Sequence, residues 1–179
     1  MSPGRCARIL VVDDEPKNAK LLEALLVPHG YEVITAMDGE GALRVIAERP
    51  IDLVLLDVMM PGLNGFEVTQ RLRTSEHTRL IPIVLITALK ETEDRIRGIE
   101  AGCDDFLSKP FDRHEVLARV KTLLQLSYYR SLLDEKEKFE SAMDRIEDGI
   151  MVVNQDLRIG RLNQRAADLL TIDPHVQPA

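Results

Sequence analysis

Five side chains capable of acid, hydroxyl or amine chemistry fall at the ends of short apolar runs. Asp13 and Asp14 follow residues 9–12, Asp57 follows 53–56, Thr87 follows 83–86 and Lys109 follows 105–108. An Asp after a strand is ordinarily a helix N-cap. Capping, however, asks for neither a hydroxyl nor an amine beside three carboxylates. Three carboxylates brought close repel one another by several kcal/mol at low effective dielectric, so either their pKa values rise or a cation sits among them. Oxygen-only ligation with open positions suits Mg2+, which keeps several waters and favours a phosphate partner. A carboxylate can attack phosphorus to give an aspartyl phosphate, provided that the equatorial oxygens are neutralised and held in line. Lys109 would supply charge and Thr87 a hydroxyl donor.

These groups converge only if the runs are parallel strands of one sheet. Residues 9–12, 31–35, 53–56 and 83–86 are short and rich in β-branched residues, and 105–108 is a weaker fifth run. Segments with helical spacing separate them: Leu21, Leu22, Leu25 and Leu26; Ala42, Leu43, Val45 and Ile46; Val68 and Leu72; Ile96 and Ile99; and a longer one from Arg113. Pro28 with Gly30 is expected to close the first helix and Pro50 the second, while Pro61, Gly62 and Gly65 occupy the turn after the third strand. Runs 1, 3 and 4 are apolar on both faces, as parallel strands covered by helices on each side must be. The pattern predicts a doubly wound α/β fold, in which ligands sit beyond the carboxyl ends of the strands.

Composition narrows the function classes. The chain has 179 residues, 45% of them hydrophobic and 30% charged, which suits one folded domain and the start of a second. A formal net charge of -7 argues against direct nucleic-acid binding. Cys6 and Cys103 form neither a CxxC pair nor a disulfide framework. The first apolar run ends at Asp13, too early for a signal-peptide core, and no run approaches membrane-helix length. A cytoplasmic protein without membrane contact is expected.

From Arg8 to about Leu126 the chain resembles the receiver domain of two-component response regulators. The matching segments are Ile9-Leu-Val-Val-Asp-Asp-Glu15, Leu55-Leu-Asp-Val-Met-Met-Pro-Gly62, Asn64-Gly-Phe-Glu67, Ile83-Val-Leu-Ile-Thr-Ala88 and Gly102-Cys-Asp-Asp-Phe-Leu-Ser-Lys-Pro-Phe111. The resemblance implies a five-stranded flavodoxin-like sheet in the order 2-1-3-4-5, with Asp57 as phosphoacceptor. It also implies that Asp14, Asp57 and the main-chain carbonyl of Met59 ligate Mg2+, with Asp13 helping through water. Thr87, Ala88 and Lys109 would bind the phosphoryl group, Lys109 to Pro110 would be a cis peptide, and Phe106 would be the aromatic switch. A core Phe is the competing reading of Phe106. The implied donor is a histidine kinase, a phosphotransfer protein or a small phosphodonor, and the implied chemistry is self-phosphorylation and autodephosphorylation rather than turnover of a separate substrate. Met59 and Leu89 occupy positions at which family members vary the control of water access. Both are apolar here, so a slowly hydrolysed phosphoryl group is expected. Departures are few: Cys103 stands where a small apolar residue is usual and Phe106 where Tyr is common.

Rival readings are weaker. An aspartyl-phosphate phosphatase generally has its nucleophile on the first strand, with two acids flanking one residue; here Asp13 and Asp14 are adjacent. A flavin site would not place carboxylates beside the phosphate. Phe111-Asp-Arg-His114-Glu115 lacks the residues that complete a histidine-kinase box, and Ala118 stands where a zinc protease needs its second His.

After Pro110 the helical pattern runs on through Leu117, Val120, Leu124, Tyr128, Leu132, Phe139, Ala142 and Ile146. Either one helix outlasts the domain and buries its stripe against a partner, giving a homodimer, or two shorter helices meet near Ser127. The resulting division is a receiver domain at 1–126, a signalling helix at 127–146 and a tail at 147–179. Within the tail, Asp148-Gly-Ile-Met-Val-Val-Asn154, a turn at Gln155-Asp156, then Ile159, Asn163, Ala166, Ala167, Leu169 and Leu170 resemble the opening hairpin and first helix of a PAS domain, with Thr171 replacing a frequent Gly. No helix-turn-helix, cyclase or kinase motif is apparent, so the output is expected in a downstream domain or in the helix itself.

Overall fold

The computed structural model describes residues 6–88, 92–155 and 158–171. Five parallel strands form the main sheet: β1 Arg8–Val12, β2 Glu32–Ala36, β3 Leu53–Asp57, β4 Ile83–Thr87 and β5 Asp105–Ser108, in the order 2-1-3-4-5. The helices between them are α1 Pro16–Leu26, α2 Gly39–Glu48, α3 Gly65–Thr74 and α4 Thr92–Ala101, and α5 Arg113–Asp144 follows β5. Central β3 and β4 are buried at every position, whereas β2 and β5 at the edges are partly open. The two-residue side-chain period sends alternate residues to opposite faces. Leu10, Val12, Val54 and Leu56 join Ala42, Val68, Leu72 and Ala101 on one side. Ile9, Val11, Leu53 and Leu55 join Leu22, Leu26, Val116 and Val120 of α1 and α5 on the other. Each fully buried Leu or Val in these layers stabilises the fold by about 1.5–3 kcal/mol.

Local chemistry sets the helix ends. Asp38 accepts from the Gly41 N–H at 2.6 Å to cap α2, and Asn64 with Glu67 forms a reciprocal capping box on α3. α1 stops at Leu26, earlier than Pro28 and Gly30 suggest; Val27–His29 tighten into a 3-10 turn, closed by Gly30 at φ 84°. The edge strand β2 starts at Glu32 rather than Tyr31. Cys103 is half-buried against the apolar layer of α2, α3 and α4, and burial pushes its thiol up to about 11. A thiol raised in this way stays protonated near neutral pH and packs as a small apolar side chain.

The long C-terminal segment is one helix through Ser127, which removes the two-helix alternative. The chain divides into two compact units, one up to Arg130 and one from Ser131. The second unit contains the antiparallel pair β6 Met151–Val153 and β7 Ile159–Leu162, then α6 Gln164–Leu170. Its centre is fully buried Asn163, whose amide donates to the carbonyls of Met143 and Asp148 and whose oxygen accepts from the N–H groups of Ile150 and Ala166. All the capacity of that polar side chain is thus used. Asp156 of the expected turn lies outside the described residues.

Candidate functional site

The parallel sheet delivers the ends of β1, β3, β4 and β5 to one edge. Asp13 lies just past β1 and is almost completely buried, at 1% exposure, while its neighbour Asp14 is exposed. Asp57, the last residue of β3, is 4% exposed. One carboxylate oxygen from each of Asp13, Asp14 and Asp57 lies within 4.8 Å of the others.

Lys109 reaches the same place from the far side of the sheet. Its Nζ donates to Asp57 Oδ2 at 2.8 Å and to Asp13 Oδ2 at 2.9 Å. The backbone at Lys109 is fixed by its N–H, which donates to the Thr87 carbonyl at 2.8 Å, and the Lys109–Pro110 peptide is cis. Asp57 Oδ1 accepts a longer bond of 3.4 Å from the Met59 N–H. Burial raises the Asp57 carboxyl above its ordinary range and the charge of Asp13 adds to this, against the opposing pull of Lys109 and the Met59 N–H. Burial alone would lower the Lys109 pKa, but its hydrogen bonds and attraction to Asp57 and Asp13 outweigh that and raise it. The proton stays on the amine.

Thr87 closes β4 and is 4% exposed; Ala88 follows it and is exposed. The Met59 side chain is 62% exposed at the rim. Leu89 lies outside the described residues. Phe106 is half-buried in β5 opposite Leu85, and its ring is directed toward α4. A Cβ at Gly98 would stand 2.5 Å from that ring, so α4 can approach it only because residue 98 has no side chain. The Arg95 guanidinium lies 5.3 Å from the ring centroid. The structure therefore gathers Asp13, Asp14, Asp57 and Lys109 directly, sets Thr87 and Ala88 along the same edge, and turns Phe106 to a neighbouring face.

Two contributors were missed by reading the sequence. A Cβ at Gly65 would stand 2.5 Å from the Asp57 carbonyl oxygen, so the start of α3 rests on the backbone of Asp57 only with glycine there. The Gly65 N–H also donates to the Val58 carbonyl. Asn18, in the first turn of α1, donates to Asp13. Gly65 lies within a motif quoted above, but its spacing to Asp57 carries no sign of the close approach. Nothing in the sequence marks Asn18 apart from an ordinary helical Asn.

The family model for the response regulator receiver domain matches residues 9–121. The chain belongs to the response regulator receiver family. This receiver is 49% identical over 140 residues to "Response regulator PleD" of Caulobacter vibrioides, covering 78% of the chain and 30% of PleD. It is 47% identical over 120 residues to "Alkaline phosphatase synthesis transcriptional regulatory protein PhoP" of Bacillus subtilis, covering 67% of the chain and 49% of that relative. The chain thus spans 30% and 49% of the length of these two curated relatives.

Among solved structures, a putative response regulator from Chloroflexus aurantiacus matches at 38% identity and TM-score 0.66, over 68% of this chain and 99% of that one. The receiver domain of a Pseudomonas aeruginosa sensor histidine kinase matches at 34% identity and TM-score 0.63, over 68% and 99%; it was solved with a magnesium ion coordinated in the active-site cleft. Homology to response regulators places the chain in phosphorylation-dependent two-component signalling. No helix among the described residues is long and apolar enough to cross a membrane.

Proposed function

We propose that Asp57 is the phosphoacceptor of this receiver and that its donor is a histidine kinase, a phosphotransfer protein or a small phosphodonor. The observation that carries this reading is the shared ammonium of Lys109, bonded to both Asp57 and Asp13 at an edge where Asp14 adds a third carboxylate. Three carboxylates face one amine, which leaves a surplus of negative charge and an all-oxygen donor set suited to Mg2+. Asp14, Asp57 and the main-chain carbonyl of Met59 would hold the ion, with Asp13 acting through water. When bound, Mg2+ supplies positive charge to the phosphoryl oxygens.

In the reaction an Asp57 carboxylate oxygen forms the new bond to phosphorus while the bond from phosphorus to the donor atom breaks and its electrons leave with the donor. Lys109 stays protonated and exchanges its bond to Asp57 for one to a phosphoryl oxygen. Thr87 offers its hydroxyl and Ala88 its N–H to the others. Phe106 is the switch residue, set against Gly98 and α4. Apolar Met59, together with Leu89, leaves no side chain to orient an attacking water, so the phosphoryl group is long-lived.

The proposed division is receiver domain at 1–126, signalling helix at 127–146 and PAS-like segment at 147–179. Of the apolar stripe on α5, Tyr128, Leu132 and Phe139, spaced by four and seven residues, are 37%, 43% and 57% exposed. That spacing suits the seam of a helix pair, and a second copy of this chain is the proposed occupant, with output through the helix or a downstream domain. Incubation with acetyl phosphate and Mg2+ tests the core of the reading. A base-labile acyl phosphate supports it, and no incorporation in the presence of Mg2+ contradicts it.

A further inference from the structure

Asp13 is clamped on both of its oxygens. Oδ2 accepts from Lys109, while Oδ1 accepts from the Glu15 N–H at 2.9 Å and from Asn18 Nδ2 at 3.0 Å. The same Asn18 Nδ2 lies 3.2 Å from Glu15 Oε2, so one amide group donates to two carboxylates. Glu15 is the N-cap of α1 but makes no side-chain cap bond, and Asn18 sits in the first turn at the third helical position. A side chain there normally reaches back to its own N-cap N–H. Here Asp13 takes that N–H, and Asn18 reaches past it to the acid.

We propose that Asn18 is a positioning residue for the metal site: its bridge from Asp13 to Glu15 fixes the plane of the Asp13 carboxylate against Asp14 and Asp57. This rests on the Mg2+ reading above. With Asn18 removed, Oδ1 keeps only the Glu15 N–H and the carboxylate pivots about its bond to Lys109. Glu15 is also released from the rim, and a fourth negative group leaves the neighbourhood of the ion. Changing a group that orients a metal's surroundings typically weakens metal affinity about 10- to 100-fold.

The test is the melting temperature of the full chain across a Mg2+ titration, from EDTA to saturation, for wild type, Asn18→Ala and Asn18→Leu. Leucine has the same branched side-chain skeleton as asparagine, with methyls in place of the amide oxygen and nitrogen, and favours helix, so it covers the same part of α1 without the amide. The bridge predicts that both variants melt close to wild type in EDTA and that the Mg2+ dissociation constant weakens about tenfold. A purely structural role predicts a drop that is the same with and without Mg2+, at a dissociation constant within about twofold of wild type, and that result overturns the proposal. A wild-type protein whose melting does not respond to Mg2+ overturns the metal reading itself and the role of Asn18 with it.

Discussion

Lys109 Nζ and Asp57 Oδ2 stand 2.8 Å apart although 52 positions separate them in the chain. The two ends of β3 and β5 are brought level by β4 between them: Asp57 pairs with Ile86 and Thr87 with Ser108. That register delivers the amine to the carboxylate. It also places Asp57 where burial and Asp13 raise its pKa.

The raised pKa makes a prediction about stability. A group whose folded pKa lies above its unfolded value binds more protons in the folded state, so its stabilising contribution is complete below the unfolded value and lost as pH rises through the folded one. In EDTA, Asp57→Asn removes that titration. Its advantage over wild type in urea unfolding should grow as pH rises above about 4 and through the raised folded pKa, and then level off. An advantage that shrinks over that range would mean that the attraction of Lys109 outweighs burial.

A second ion pair holds the opposite end of the sheet. Arg73 donates to the carbonyls of Gly102, Arg79 and Ile81 and, at 2.7 Å, to Asp104 Oδ2. Asp104 Oδ2 also accepts the Ile83 N–H, and its Oδ1 accepts from Arg130. Arg73 and Asp104 are 20% and 15% exposed, so removing the guanidinium leaves a largely buried carboxylate with only the Ile83 N–H and Arg130, and takes a donor from the part-buried carbonyls of Gly102 and Ile81. Arg73→Ala should cost about 3 kcal/mol in urea unfolding, and Arg73→Lys should recover less than half of that because an ammonium cannot reproduce the planar fork. A loss below about 1 kcal/mol would show the pair to be dispensable.

Thr171 ends α6 in the left-handed region, at φ 56° and ψ 38°. A β-branched residue there is strained by about 1–2 kcal/mol relative to glycine. Thr171→Gly should therefore slow amide hydrogen exchange in α6 by about fivefold or more. Unchanged or faster exchange would place the weak point of the second unit elsewhere.

Much of this architecture was legible in the sequence because it follows from periodicity. The doubly apolar runs marked β3 and β4 as central, and parallel strands require their carboxyl ends to share an edge, which put Asp13, Asp14, Asp57, Thr87 and Lys109 together. Less was legible where geometry rather than pattern decides. Asn18 reaches Asp13 only through the first turn of α1, and Gly65 and Gly98 are needed only because backbone and ring come within a Cβ's distance of them. The early end of α1 at Leu26 reflects Val27–His29 tightening before Gly30, which the positions of Pro28 and Gly30 do not reveal. The unbroken course of α5 through Ser127 was equally open in the sequence, since no Gly or Pro marks a break there and the apolar stripe fits one helix or two.

The central claim is that the phosphoryl group lands on Asp57. Its most direct test is to load the full chain with acetyl phosphate and Mg2+, reduce the acyl phosphate with borohydride and map the reduced residue by peptide mass spectrometry. Homoserine at position 57 in wild type, and no reduction product in Asp57→Asn, is the predicted result. Reduction at Asp13 or Asp14, or unchanged labelling in Asp57→Asn, would contradict it.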